Sequence, residues 1–117
     1  NAAYFVEKMK EFTEIRLQKE VGKSSWFGFS IVLTDSLADK RDALVKMLSE
    51  VGIECRPIVA GNFTRNPVIR YMDYRIPEEL INADEIHYHG FFIGNHSKPN
   101  NQEIDYFIDV LKKFLSK

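Results

Sequence analysis

The C-terminal end of the chain restricts the fold most: Ile104, Phe107, Ile108, Leu111 and Leu115 fall at the three- and four-residue spacing of a single helix stripe. Asn100 before them and Glu103 three residues later have the pattern of a capping box, so the helix is expected to start there. Burying those five side chains contributes on the order of 1.5–3 kcal/mol each before conformational entropy is subtracted. Such a stripe is stable only against a second apolar layer, and short runs upstream supply one. Residues 26–33 are aromatic and β-branched, the signature of a largely buried strand, with Gly28 marking a close backbone approach. Residues 53–58 form a second run, placed at a sheet edge because Pro57 has no N–H for the ladder, and 91–93 a third.

Helical patterns separate these runs. Phe5, Met9, Phe12 and Arg16 recur at helical spacing, which predicts a helix over 3–20 ended by Gly22. Asp35 or Ser36 can cap a helix carrying Ala43, Leu44, Met47, Leu48 and Val51, closed by Gly52 as a left-handed C-cap. Residues 59–82 are turn-rich, with Asn66-Pro67 starting a short helix, and 82–89 read as helix stopped by Gly90. The order α-β-α-β-α-α-β-α predicts a small α+β domain over 1–117, one short-stranded sheet with helices packed mainly on one face.

Sixteen basic against 17 acidic residues give a net charge of -1, so no broad attraction to nucleic acid or anionic lipid is expected. No apolar run approaches the ~20 residues of a membrane span, and the first ten residues lack the pattern of a signal peptide. The lone Cys55 fits a reducing compartment, and the cytoplasm is the expected location. A start in mid-helix without Met leads us to expect a piece cut from a longer protein.

Chemistry-bearing residues are few. Phosphate-binding glycine loops, paired-cysteine zinc patterns and nucleophile elbows are absent from the sequence. Cys55 lies in an apolar strand and reads as a buried, inert thiol. His87 and His89 project about 200° apart on a helix and so cannot serve one metal ion from one face. Two groups remain. Arg56, Asn62 and Arg65 surround the Gly61 turn after a strand, where an arginine fork and close backbone N–H groups suit carboxylate or phosphate oxygens. Asn95 and His96 follow the last strand in a loop. The alternative, an Arg56 paired with an acid and a solvated Arg65 and His96, is not separated from this by spacing.

Three segments carry a resemblance to a known family. Residues 52–63 (GIECRPIVAGNF), 82–86 (NADEI) and 90–96 (GFFIGNH) resemble the C-terminal domain of DegT/DnrJ-type sugar aminotransferases. Within that family they are most similar to the 3-dehydratase branch, which makes 3,6-dideoxyhexoses for lipopolysaccharide O-antigens. The resemblance implies a homodimeric fold type I pyridoxal phosphate enzyme whose N-terminal large domain, absent from this chain, holds the cofactor. Its substrate would be a nucleotide-linked 4-keto-6-deoxyhexose. In that branch a histidine of the large domain replaces the Schiff-base lysine, and nothing around Lys98 resembles the cofactor-lysine segment. The small domain would close over the active site, with Arg56, Asn62 and Arg65 at one strand end and Asn95 and His96 at another forming half of a substrate pocket. No catalytic residue is expected here, and the chain alone is expected to be inactive and free of cofactor. A different class, a free-standing small-ligand or regulatory module, would instead bind an amino acid or nucleotide by itself.

Overall fold

In the computed structural model, which describes residues 1–116, four strands form an antiparallel sheet in the order β1-β2-β4-β3. They are β1 (Ile15–Leu17), β2 (Gly28–Leu33), β3 (Cys55–Arg56) and β4 (Gly90–Gly94). Alternation along paired strands places Ile15, Leu17, Phe29, Ile31, Leu33, Phe91, Ile93 and Cys55 on one face, through the registers Ile15↔Leu33, Ile31↔Phe91 and Cys55↔Ile93. Against that inner face pack α1 (Ala2–Met9), α2 (Arg41–Glu50) and α4 (Asn101–Leu115), through Phe5 and Met9, Leu44 and Leu48, and Ile104, Phe107, Ile108 and Leu111. The fold is therefore α+β with most helices on one face, as the element pattern requires.

The remaining helix, α3 (Ile81–His89), lies on the outer face. Arg16 points outward between Ile15 and Leu17 and pairs with Glu85 of α3. Its register neighbours on that face are Val32 and then Gly90, and α3 runs directly into Gly90. A Cβ on Gly90 would lie 2.4 Å from the carbonyl oxygen of Ile86 and 2.8 Å from Cδ1 of Ile58. Glycine is thus the residue that lets α3 turn into β4 without displacing the loop beyond it.

Several local expectations need correction. The predicted helix over 3–20 stops at Met9, and Ile15–Leu17 form the edge strand β1 instead. Only Phe5, Met9 and Phe12 are apolar on the helical stripe, whereas Ile15, Arg16 and Leu17 alternate in, out, in. Pairing with β2 satisfies backbone groups that would otherwise border solvent. Strand β2 starts at Gly28 rather than 26, because Trp26 has a φ of 50° and leaves the extended region. The Pro57 run pairs over two residues only, at the edge. Residues 35–40 form a 3-10 turn ahead of α2. At the other end of α2 the expected C-cap is present: Gly52 has φ 85°, and the Gly52 and Ile53 amides donate to the carbonyls of Ser49 and Leu48, a complete Schellman motif.

The capping box at α4 is not formed. Asn100 makes no side-chain cap bond, and its Nδ2 donates to Asn95 Oδ1 at 3.1 Å. Its own N–H donates to Oδ1 of Asn1, whose Nδ2 reaches Asn95 Oδ1 (3.1 Å) and the carbonyls of His96 (2.8 Å) and Lys98 (2.7 Å). A residue 99 positions away has taken over the role that Glu103 was expected to play.

Cys55 is half-buried, and burial, followed by the Glu54 charge, pushes its thiol up to about 11. Thiolate is therefore scarce at neutral pH. Labelling of the native protein with a thiol reagent at pH 8 is expected to be at least tenfold slower than labelling in urea, and equal rates would contradict the burial.

Candidate functional site

The first group of sequence-marked residues gathers where the 57–66 loop meets α3. Asn62 is 3% exposed and caps the short 3-10 turn Phe63–Arg65, its Oδ1 accepting from the Thr64 N–H (3.0 Å) and Oγ1 (2.7 Å). Its Nδ2 donates to Asp84 Oδ1 at 2.8 Å, and its backbone N–H donates to His87 Nδ1 at 3.2 Å. Arg65 grips the same Asp84 with both arms of its fork, Nε to Oδ1 at 2.9 Å and Nη2 to Oδ2 at 2.6 Å. Because Nδ1 of His87 accepts, the neutral ring carries its proton on Nε2. Gly61, at φ 58°, is required here: a Cβ would sit 2.6 Å from His87 Nδ1 and 2.9 Å from its Cα. Two residues earlier, exposed Val59 holds φ 46°, a conformation that costs a β-branched residue on the order of 1–3 kcal/mol.

Asp84 anchors this corner. Hydrogen bonds from Arg65, then from Asn62, hold its carboxyl down at about 2. A carboxyl depressed in the folded state contributes stability above its ordinary value of 3.8 and loses it as pH falls toward 2. Asp84→Asn should therefore flatten part of the loss of urea-unfolding midpoint between pH 4 and pH 2. An unchanged slope would exclude Asp84. Glu14 and Asp105 are also held below their ordinary values, by Ser36 and by Tyr4 respectively, and act in the same direction.

The second group sits at the other end of β4. The Asn95 N–H donates to the Phe27 carbonyl at 3.2 Å and its Nδ2 to the Trp26 carbonyl at 2.6 Å, while its Oδ1 accepts from Asn1 and Asn100. His96 is exposed; its Nδ1 accepts from the Lys98 N–H at 3.1 Å, which turns Nε2 outward. A cleft of about 450 Å³ opens here between Asn1, Ser24, Ser25, Trp26, Asn95 and His96.

These two groups lie at opposite ends of β4 and share no cleft of this chain. Strand β3 runs antiparallel to β4, so the chain leaving β3 meets the start of β4, whereas Asn95 follows its end. Five residues of strand, about 13 Å, lie between them. Arg56 belongs to neither corner: it is exposed on the outer face beside Phe92, its Nε and Nη2 donating to Glu54 Oε1 at 2.9 and 2.6 Å. Both arginines are thus already paired with acids. His87 and His89 diverge, the latter placing Nδ1 2.8 Å from the Ala38 carbonyl.

Asp84 and Trp26 were not named as site residues from sequence, and His87 was weighed only as a metal ligand. The spacing of Asp84 and His87, three apart on one helix face, was the available signal. Nothing local marks Trp26.

Pyridoxal phosphate needs a lysine or its substitute together with a phosphate cradle, and two of the larger clefts among the described residues do not offer both. The cleft between α4 and the β3 edge, about 460 Å³, carries Glu54 and Glu103 and no basic residue. The one beside β1 has Arg16, already paired with Glu85. Among the described residues no group of three or more His, Cys, Asp or Glu is arranged to hold a metal ion, and no helix is long and apolar enough to cross a membrane.

Comparison with known proteins agrees with the fold. Over 113 residues the chain is 44% identical to GDP-4-keto-6-deoxy-D-mannose 3-dehydratase of Escherichia coli O55:H7, covering 96% of this chain and 29% of that protein. It is 45% identical over 114 residues to the Yersinia pseudotuberculosis protein of the same name, covering 97% and 29%. A solved structure of the E. coli dehydratase with bound hydrated PLP superposes with a TM-score of 0.89 at 44% identity, over 95% of this chain and 29% of that one. The DegT DnrJ EryC1 StrS aminotransferase of Brucella abortus shares the fold alone, with a TM-score of 0.76 at 18% identity over 99% and 30%. The chain spans less than a third of the length of the relatives it matches. With a family match running over residues 1–112, the chain belongs to the DegT/DnrJ/EryC1/StrS aminotransferase family.

Proposed function

We propose that this chain is the C-terminal small domain of a pyridoxal phosphate-dependent sugar-nucleotide 3-dehydratase, acting on GDP-4-keto-6-deoxymannose in the cytoplasm during O-antigen deoxysugar synthesis. The observation that carries the reading is 44% identity over nearly the whole chain to a dehydratase of that name. The cofactor and its site belong to the large N-terminal domain of the complete, homodimeric enzyme, where pyridoxal phosphate supplies the electron sink for loss of the C3 hydroxyl.

This domain's own residues bind and orient. Arg56 and His96 present exposed donors, a guanidinium and an imidazole N–H, to the phosphates or sugar of the substrate. Asn62 and Arg65 fasten the 57–66 loop to Asp84, and Asn95 fixes the His96 loop to the backbone of Trp26 and Phe27. These act as positioning residues on either side of the substrate, 13 Å of strand apart, rather than within one cleft.

The complete enzyme, given pyridoxal phosphate, glutamate and GDP-4-keto-6-deoxymannose, is expected to yield a product lacking the C3 hydroxyl. A 4-amino sugar as sole product would replace dehydration by transamination. Arg56→Ala in that enzyme should raise KM about tenfold or more with the unfolding midpoint unchanged, since the side chain is exposed and its hydrogen bonds go to Glu54, itself exposed. Unaltered kinetics would remove Arg56 from the site.

A further inference from the structure

The outer face of the sheet is covered over only part of its extent. We infer that its bare part, an apolar shelf formed by Phe27 and Phe92, is the surface on which the polypeptide preceding Asn1 packs in the complete enzyme; this rests on the small-domain reading above. Helix α3 takes the row Arg16, Val32, Gly90. Two rows further on, Gly28 pairs with Gly94, and an added Cβ at Gly94 would meet nothing within 4 Å. The edge of Phe92 covers Gly28, its Cδ2 2.8 Å and Cε2 3.3 Å from where a Cβ would be, and the ring meets Phe27 edge-on with centroids 5.6 Å apart. Phe27 is 72% exposed. An exposed ring meeting a partly buried one edge-on over a glycine floor, with the Arg56–Glu54 pair beside it, is a surface that water solvates poorly at its centre, and such patches mark contacts.

The occupant follows from where the chain enters. Asn1 is hydrogen-bonded to Asn95 and to the carbonyls of His96 and Lys98, and Asn95 is bonded in turn to the carbonyls of Trp26 and Phe27. The point of entry and the aromatic shelf are therefore one rigid corner, joined by a single asparagine. The relatives are more than three times as long as this chain. A large domain tethered at that corner is held against the shelf at an effective concentration on the order of millimolar, so even a modest apolar contact is populated. Phe27 and Phe92 thus form the seam between the two domains of one subunit.

Hydroxyl-radical footprinting of the complete enzyme, read by mass spectrometry, tests this. Phe27 is expected to be modified at least fivefold more slowly than the same residue in a short peptide of residues 24–30. Labelling within twofold of the peptide rate overturns the inference. Protection that disappears when subunits are diluted apart assigns the shelf to a second copy, and protection seen only with added nucleotide sugar assigns it to substrate; both overturn it as well. A dehydratase assay on the same sample separates the two readings: activity with an unprotected Phe27 removes the seam alone, and a protected Phe27 without activity removes the function alone.

Discussion

Replacing Phe5 with alanine is expected to lower stability by about 3–5 kcal/mol, a large share of the roughly 5–15 kcal/mol typical of a domain. Phe5 is fully buried, stacks on Phe29 at 4.1 Å with an interplanar angle of 8°, and meets Phe107 at 6.0 Å. One ring therefore joins α1 to β2 and α4. With eight residues, α1 is too short to persist without that contact, so its loss and the cavity act together. Urea unfolding should show a lower midpoint at an unchanged slope. Phe63→Ala, at a half-exposed ring, serves as the comparison and should cost far less. A Phe5→Ala loss below about 1 kcal/mol would mean that α1 is not docked on the sheet.

Glycines at the two ends of β4 are expected to respond unequally to the same substitution. Gly90→Ala places a methyl group 2.4 Å from the Ile86 carbonyl oxygen, a backbone atom that cannot rotate away, and against Ile58. The helix-to-strand turn must shift, at about 1–3 kcal/mol. Gly94→Ala meets nothing within 4 Å and needs no unusual φ, so it should stay within about 0.5 kcal/mol of the parent. Thermal melts of the two variants read the contrast directly; equal shifts would show that the packing at Gly90 is looser than described. Loss at Gly90 should also loosen the adjoining 57–66 loop, because Ile58 and His87 bracket it from the same side.

The parts of the fold that were legible in the sequence are those in which one residue type repeats at one period. The α4 stripe from Ile104 to Leu111, the α2 positions Leu44 and Leu48 closed by Gly52 and the apolar runs of β2 from Gly28 and of β4 appear where periodicity put them, because burial on a single face decides each, whereas Leu115, Ala43 and Val51, expected on those faces, lie exposed at the helix margins. Strand β1 was hidden: three residues with Arg16 at the centre carry too little pattern, and only the partner strand makes them extended. The capping box failed for a similar reason. Its local geometry was available, but Asn1 offered the Asn100 amide an acceptor that no local window contains. At the candidate site, the loop grouping of Asn62 with Arg65 was visible from the glycine turn, whereas their common partner Asp84 became visible only once α3 was folded over the sheet. Likewise, the separation of Asn62 from Asn95 is a consequence of strand direction, which residue types do not encode.

The sheet has very short margins, three residues of β1 on one side and two of β3 on the other, the latter halted by Pro57. A stray chain seeking to lengthen the sheet finds almost no free ladder to copy, and a proline at the one place where a longer run begins. The molecule is thereby guarded against fibril-like polymerisation through its sheet margins. Growth into a larger assembly must proceed by laying face upon face.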